Sequence, residues 1–449
     1  MPQNKPSGKL TLSLVALALS QLFSLPAFAA ATEVERIAEL EKKLEKSLAL
    51  IEQLSTRLSQ VEGGKTTLPA QNASAEKIAI QGERIDQLEK TIVQVSENSA
   101  KRHDLGVPLH GFADVGYVHA SNDPSNRQGG FTLGTLDIYL TPEFGDRGKS
   151  IIELAFEYDT DGSLAVDLER LQFGYTFSDA LTLWTGRFHS PYGYWNTAFH
   201  HGPQIQTSAS RPRFIEFEDK GGLLPTHAVG LLASGSLRAG QGKLQYDAYL
   251  ANGNSITDGV LDFNAFKDDN TNKLVGANLR YAFGGTLEGL TLGVHALTQQ
   301  VDRHAVTGDP DPAKNVSFTS TKMNVYGAFA VLDQGNWEVI SEYYRFRNED
   351  LSGATGFHSS WAGFAQAGYT FGEKWTPYLR LEKAVLDQTD NYFLGQLSGR
   401  TYQRQALGLR YDLNQLTALK IELNKTTEEQ SDLSELKTNE VRLQLAVRF

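Results

Sequence analysis

The chain runs out in Val441-Arg442-Leu443-Gln444-Leu445-Ala446-Val447-Arg448-Phe449, and an upstream stretch, Ile152-Glu153-Leu154-Ala155-Phe156-Glu157-Tyr158-Asp159, has the same rhythm. In the first, Val441, Leu443, Leu445, Val447 and Phe449 share one face, opposite Arg442, Gln444 and Arg448. In the second, Ile152, Leu154, Phe156 and Tyr158 oppose Glu153, Ala155, Glu157 and Asp159. Side chains alternate sides along an extended strand, so each segment is a ribbon with one apolar and one polar face. From Leu109 onward, segments of this kind, about 9 to 14 residues long, follow one another with turn signals between them. They start near Leu109, Phe131, Ser150, Val166, Leu181, Ala228, Lys243, Lys273, Leu290, Thr319, Asn336, Ser360, Lys374, Thr401, Leu416 and Asn439, sixteen in all.

The connections alternate in length. Tight links follow even segments, at Gly145-Asp146-Arg147-Gly148, Ser178-Asp179, Asp333-Gln334-Gly335, Gly372-Glu373 and Asn414. Links after odd segments are mostly much longer: Pro191 to Thr226, Asn252 to Asn272, Val301 to Phe318, Leu386 to Arg400. An up-and-down meander sorts its loops this way, with short turns at one end and long loops at the other. Aromatic phrases mark the short-turn end: Gly174-Tyr175-Thr176-Phe177, Arg280-Tyr281-Ala282-Phe283, Gly368-Tyr369-Thr370-Phe371 and the looser Arg410-Tyr411-Asp412-Leu413. Trp337 and Trp375 open segments after two of the tight turns. Amphipathic rings at one level are expected where lipid meets water. In lipid an open sheet edge is too costly, so the sheet must close, and sixteen strands close around an aqueous channel. The expected fold is all-β: a sixteen-stranded antiparallel transmembrane β-barrel preceded by a helical coiled-coil arm.

Residues 1–29 read as a secretory signal: Lys5 and Lys9, an apolar run from Leu10 to Phe23, Pro26, then Ala27-Phe28-Ala29 with cleavage expected after Ala29. The next segment, 30–101, reads as a periplasmic arm with helices at about 34–61 and 76–97. Its first heptad puts Ile37, Leu44, Ile51 and Leu58 at a and Leu40, Ser47, Leu54 and Val61 at d. Leu48 and Leu50 widen the stripe at e and g, which favours three strands over two. Ile78, Ile85 and Ile92 with Leu88 and Val95 carry the second heptad, in a new phase after Gly63-Gly64 and Pro69. Residues 102–449 are assigned to the barrel, with an inward loop at about 191–226.

Composition narrows the function. The net charge of −11 argues against a nucleic-acid partner, and the absence of cysteine removes disulfides, thiolate metal sites and cysteine nucleophiles. Beyond the first thirty residues no apolar run reaches the roughly 20 residues of a transmembrane helix.

Two phrases, Trp184-Thr185-Gly186-Arg187-Phe188-His189-Ser190-Pro191-Tyr192-Gly193 and Tyr249-Leu250-Ala251-Asn252-Gly253-Asn254, give the barrel a sequence that resembles the phosphate-selective porin O and P family. The resemblance implies a trimer of sixteen-stranded Gram-negative outer-membrane barrels whose loop after strand 5 folds inward as the constriction. The family's lysine- and arginine-rich pore ladder is not plainly matched here, and the coiled-coil arm is found in some relatives only.

Strand parity offers Asp114, Asp137, Glu153, Glu157 and Asp159 to the lumen from strands 1 to 3, an acidic wall. Arg380, Arg404, Arg410, Lys420, Arg442 and Arg448 form a basic wall on strands 13 to 16, against Glu382 and Glu422, and Arg170 and Arg187 flank the inward loop. Strand 16 closes next to strand 1, so the acidic wall abuts the basic wall, and opposed charges in a narrow channel set up a transverse field that orients dipolar solutes. The inward loop carries His200, His201, Arg211, Arg213, Glu216, Glu218 and Asp219, with His227 beyond it. Their spacing matches no ligand motif, so no metal site and no cofactor are expected. No acid or hydroxyl is seen to pair with His119, His358, Asp159 or Asp161 for catalysis, so no enzyme is expected. The expected function is passive diffusion of small hydrophilic solutes, favouring small anions or carboxylates, with Arg187 the residue expected to tune it. The alternative is an outer-membrane anchor whose arm tethers or spaces the membrane from the cell wall. Expected partners are outer-membrane lipid and lipopolysaccharide, two further copies of the chain, and the assembly machinery that reads the terminal Phe449.

Overall fold

The computed structural model describes residues 109–122, 129–158, 164–257, 259–262, 267–268, 270–306, 316–353, 355–430 and 432–449. The signal, the arm, Asp159 and Asp161 lie outside these residues.

Sixteen long strands form the wall: β1 (Leu109–Ser121), β2 (Gly130–Leu140), β3 (Gly148–Tyr158), β4 (Leu164–Ser178), β5 (Leu181–His189), β6 (His227–Ala239), β7 (Gly242–Ala251) and β8 (Leu274–Ala282). The second half comprises β9 (Leu290–Val306), β10 (Val316–Gln334), β11 (Trp337–Asp350), β12 (Phe357–Tyr369), β13 (Trp375–Val385), β14 (Tyr402–Asn414), β15 (Thr417–Glu429) and β16 (Glu435–Arg448). Each pairs antiparallel with its chain neighbour. β1 then pairs antiparallel with β16, from Phe112 opposite Arg448 to Ser121 opposite Asn439, so the barrel is closed. Gly111 and Phe449 exchange two backbone hydrogen bonds of 3.0 Å at the end of this seam.

The sixteen strand starts fall within a few residues of those read from the sequence. Two expected loops carry paired backbone: within Asn252 to Asn272, Ser255–Thr257 and Val260–Leu261 form a short hairpin. The ladder between β9 and β10 continues past Val301, pairing Asp302 with Ser320 and on to Val306 with Val316. Residues 301–306 and 316–318, read as part of a loop, therefore belong to this ladder, because alternating hydrophobicity weakens beyond the membrane while backbone pairing does not depend on it.

The faces are inverted relative to a soluble protein. β13 alternates strictly, with Thr376, Tyr378, Arg380, Glu382 and Ala384 buried and Trp375, Leu379, Leu381 and Val385 exposed. Leu419, Ile421 and Leu423 on β15 point out while Lys420, Glu422 and Asn424 are buried. A contiguous exposed apolar surface of this extent needs an apolar solvent. At the short-turn end its rings pair: Tyr175 with Phe177 at 4.8 Å, Tyr281 with Phe283 at 4.7 Å, Trp337 with Tyr369 at 4.8 Å and Trp375 with Tyr411 at 4.2 Å. These are the aromatic phrases of the sequence, now a girdle.

If lipid covers this face, a charge at its middle is penalised. Ile421→Arg should destabilise the barrel in lipid vesicles by about 2–4 kcal/mol, measured by urea titration. A change below about 0.5 kcal/mol, the usual cost at a water-exposed site, would mean the face is wet.

Candidate constriction site

The connection between β5 and β6, residues 190–226, is the largest feature inside the barrel. Its course begins at Gly186, whose φ of 117° lies where side chains are strained and whose added Cβ would sit 1.9 Å from the Leu171 carbonyl oxygen. Past this glycine the strict alternation fails, and Arg187, Phe188 and His189 are all buried. Ser190 N donates to Thr226 O at 2.8 Å, and Asn196 Nδ2 donates to both Ser190 O (3.0 Å) and Thr226 O (3.1 Å), tying the loop's neck. At Gly193, with φ 58°, a Cβ would meet the Glu342 carboxylate and the Tyr344 hydroxyl at 2.1 Å. The Trp184-to-Gly193 phrase thus encodes two close backbone approaches.

Beyond the neck the loop crosses to the far wall. Glu342 on β11 accepts from Trp195 N at 2.7 Å at the start of a short helix, α1 (Trp195–Ala198). Trp195 packs on Phe364 at 5.6 Å and Phe214 on Tyr344 at 5.0 Å. Trp195, Phe214, Ile215, Leu223 and Leu224 are fully buried. Each such side chain contributes about 1.5–3 kcal/mol, so together they make the loop a packed element and not a flap. The β13–β14 connection joins them: Tyr392 donates to Leu223 O at 2.7 Å, and Phe393 packs on Phe346 at 5.1 Å. Sequence reading did not anticipate this second contribution.

Four of the expected pore cations grip the stretch Pro203–Arg211. Arg380 uses every donor: Nε to Glu382 (2.8 Å), Nη1 to Ser208 Oγ (2.8 Å), Ser210 O (2.9 Å) and Gln366 Oε1 (3.2 Å), and Nη2 to Ser210 Oγ (2.7 Å) and Arg211 O (3.2 Å). Lys420 donates to Pro203 O, Gln206 O (2.8 Å) and Ser208 O (3.0 Å), and Arg410 to Gln204 O (2.7 Å) and Gln206 O (2.9 Å). Arg404 donates to Ser210 Oγ at 2.9 Å. Glu422 accepts from Ala209 N at 3.1 Å, and Glu382 from Arg213 N at 2.7 Å. The basic wall is in large part the seat of the loop. Arg187 is buried as well, its Nε donating to Glu169 O at 3.1 Å.

The acidic wall holds the loop's other flank. Asp137 faces His201 Nδ1 at 3.2 Å, Glu153 pairs with Arg170 and lies 3.3 Å from His189, and Glu157 pairs with Lys220 at 2.5 Å. Asp114 accepts from Gln444 Nε2 at 2.9 Å, across the seam. Glu169, overlooked in the sequence, sits at an irregularity of the β3–β4 pairing and turns inward among His200, His201 and His227. Only a bulge signal could have revealed it, because simple alternation along β4 does not put both Glu169 and Arg170 inside. Burial pushes His200 well below the usual histidine value, with His189 and His201 adding to the effect. Burial opposes charge on His201 too, but Asp137 and Glu169 outweigh it and hold that ring well above.

Charges that keep some exposure are mostly paired. Arg213 lies over the Tyr402 ring at 4.7 Å and pairs with Glu428, and Arg442 pairs with Glu440 at 3.1 Å. Glu216 lies 3.4 Å from Arg211, whose own guanidinium covers Phe217. Glu218 is buried and accepts from Thr226 N at 2.6 Å. Arg448 is exposed at the short-turn end, donating to Gln415 O. At the opposite mouth His358 has the partners the sequence did not disclose, Asp387 Oδ2 and Thr355 Oγ1, each at 2.9 Å. The Thr355 hydroxyl also reaches Asp350 at 2.9 Å. This line ties two loops together.

The closed sixteen-stranded barrel shares its fold with outer-membrane proteins of known structure. It is similar to an anion-selective porin from Comamonas acidovorans, at 12% identity over 77% of this chain and 99% of that one, with a TM-score of 0.54. It is also similar to a loop L8 deletion mutant of OmpT, an outer membrane protein of Vibrio cholerae, at 12% identity, 77% and 99% coverage and a TM-score of 0.50. The outer membrane channel DcaP of Acinetobacter baumannii matches at 12% identity, 76% and 97% coverage and a TM-score of 0.48. At identities this low, the first two similarities show a shared fold and nothing more. No protein-family model and no curated relative matches the chain.

If Glu422 seats the loop, Glu422→Gln should loosen it. Trypsin should then cut after Arg213 and Lys220 in detergent-solubilised protein at least tenfold faster than in wild type, read by mass spectrometry of the fragments. Equal rates would mean that the apolar cluster alone holds the loop.

Proposed function

We propose that the chain is a passive outer-membrane diffusion channel for small hydrophilic solutes, with no catalytic step. One observation carries this reading: a closed barrel, apolar outside and charged inside, whose longest loop is bolted across the lumen by side chains from opposite walls. An anchor would need neither a wide barrel nor a shaped interior. The polar space under the loop at the short-turn end, lined by Thr207, Glu338, Thr376, Arg410 and Asp412, supports the same reading.

Small anions and carboxylates are the solutes we favour. The buried cations are spoken for, so selectivity falls to guanidiniums that keep solvent exposure, with side-chain values of 25% for Arg213 and 33% for Arg442. A planar guanidinium beside a narrow passage offers a carboxylate two parallel donors. In planar bilayers under a salt gradient, the reversal potential should show anion preference, reduced by Arg213→Ala and by Arg442→Ala, while Lys267→Ala in an outer loop changes nothing. Cation preference in the wild type would shift control to the acidic wall.

We further propose that residues 30–101 form a periplasmic three-stranded coiled coil that joins a homotrimer of barrels, assembled through the terminal strand ending at Phe449. The widened heptad stripe supports three copies. Deleting Ala30 to Lys101 should leave a barrel that still inserts but whose trimer dissociates at lower temperature on unboiled gels. Equal heat resistance would leave the arm a spacer.

A further inference from the structure

Three histidines far from ideal motif spacing meet at one carboxylate oxygen. His200 Nε2 lies 3.7 Å from Glu169 Oε2, His201 Nε2 3.5 Å from it, and His227 Nε2 contacts it directly. His200 Nε2 and His227 Nε2 are 2.9 Å apart. The four residues are buried, and each offers a ligand atom within 4.8 Å of every other. They come from three elements: Glu169 from β4, His200 and His201 from the inward loop, and His227 from the start of β6.

The far side of each ring faces a different acceptor. His200 Nδ1 faces Asn196 Oδ1 at 3.3 Å, and that amide is oriented because its Nδ2 donates to Ser190 O and Thr226 O. His201 Nδ1 faces Asp137 at 3.2 Å, and His227 Nδ1 faces Glu218 at 3.5 Å. An acceptor at Nδ1 keeps the proton there and leaves a lone pair on Nε2, the tautomer a metal takes. With no extra proton in the cluster, three imidazole lone pairs point at one another and at a carboxylate. A proton relieves one pair of these at a time, whereas a divalent cation relieves all four together.

We propose that Glu169, His200, His201 and His227 bind one zinc ion, which staples the inward loop to the β4–β6 wall. Three imidazoles and one carboxylate are a borderline donor set that suits zinc, and four protein ligands make a closed structural site. Zinc–nitrogen bonds of about 2.0–2.1 Å in a tetrahedron put ligand atoms roughly 3.3 Å apart, within the spread seen here. Asp137, Glu153 and Glu218, all buried, add negative charge around the imidazoles that the ion offsets. The staple lies across the lumen from the cationic seat of Pro203–Arg211, so the loop is fastened at both flanks. This inference rests on the cluster alone and holds whatever solute the channel passes.

The test uses the full-length protein, purified in detergent, stripped with a chelator and dialysed against micromolar zinc. Elemental analysis should find one zinc per chain, and the unfolding temperature should rise with zinc and fall again on chelation. His200→Gln and His227→Gln should each cut bound zinc at least tenfold, while His110→Gln, at the exposed start of β1, should bind as wild type does. Since the variants could fail to fold, X-ray absorption of the wild-type zinc form gives a second readout: four nitrogen or oxygen ligands at about 2.0 Å with imidazole scattering. The proposal is overturned if wild type retains less than a tenth of a zinc per chain, if the ion is six-coordinate without imidazole, or if a folded His227→Gln binds normally.

Discussion

No water reaches the hydrocarbon interior of a bilayer, so every backbone N–H and C=O of a spanning strand must find its partner in the protein. The β1–β16 seam meets that demand, and the rest of the structure follows from it. A closed sheet has only two faces, one toward lipid and one toward the lumen, and strand alternation divides the side chains between them. The ordinary relation of burial to polarity is thereby inverted: Arg380, Glu422 and Lys420 are buried while Ile421 and Leu381 are exposed. What hydrophobic burial does for a soluble core, lipid does here from outside.

Closure at sixteen strands creates a second problem, because the interior is too wide for wall side chains to fill. The inward loop occupies part of that space, and two kinds of interaction hold it. Its apolar side chains pack on β11, β12 and the β13–β14 connection. Its backbone carbonyls, which have no secondary-structure partners, are satisfied by Arg380, Lys420 and Arg410. Buried carbonyls need donors and buried cations need acceptors, and each costs several kcal/mol if left alone. Loop and basic wall are therefore mutually dependent. This is the physical reason a wall that reads as a selectivity device in the sequence serves largely as scaffolding.

The opposite flank works by different chemistry. There the wall is acidic and the loop brings histidines, so the pairing is imidazole to carboxylate. The two flanks together give the loop a fixed polarity: reversing its direction across the lumen would set carbonyls against carboxylates and imidazoles against guanidiniums. Electrostatic complementarity in this sense specifies the orientation of the loop, while its apolar residues add attachment energy.

The sequence by itself determined the number of strands, their inward and outward faces, the sorting of short turns from long loops and the aromatic girdle at Trp337 and Trp375. All of these are relations between residues close along the chain, imposed by the two-residue repeat of a strand and by the thickness of the bilayer. The length of the β9–β10 ribbon was less legible, because pairing outside the membrane leaves no hydrophobic alternation. Only the tertiary structure decided what the lumen residues do. Glu169 reaches the histidines because a bulge turns it inward, and Arg380 meets Ser210 because a loop from β5 crosses to β13. Such contacts join residues up to about two hundred positions apart through the closed wall, and no local pattern records them.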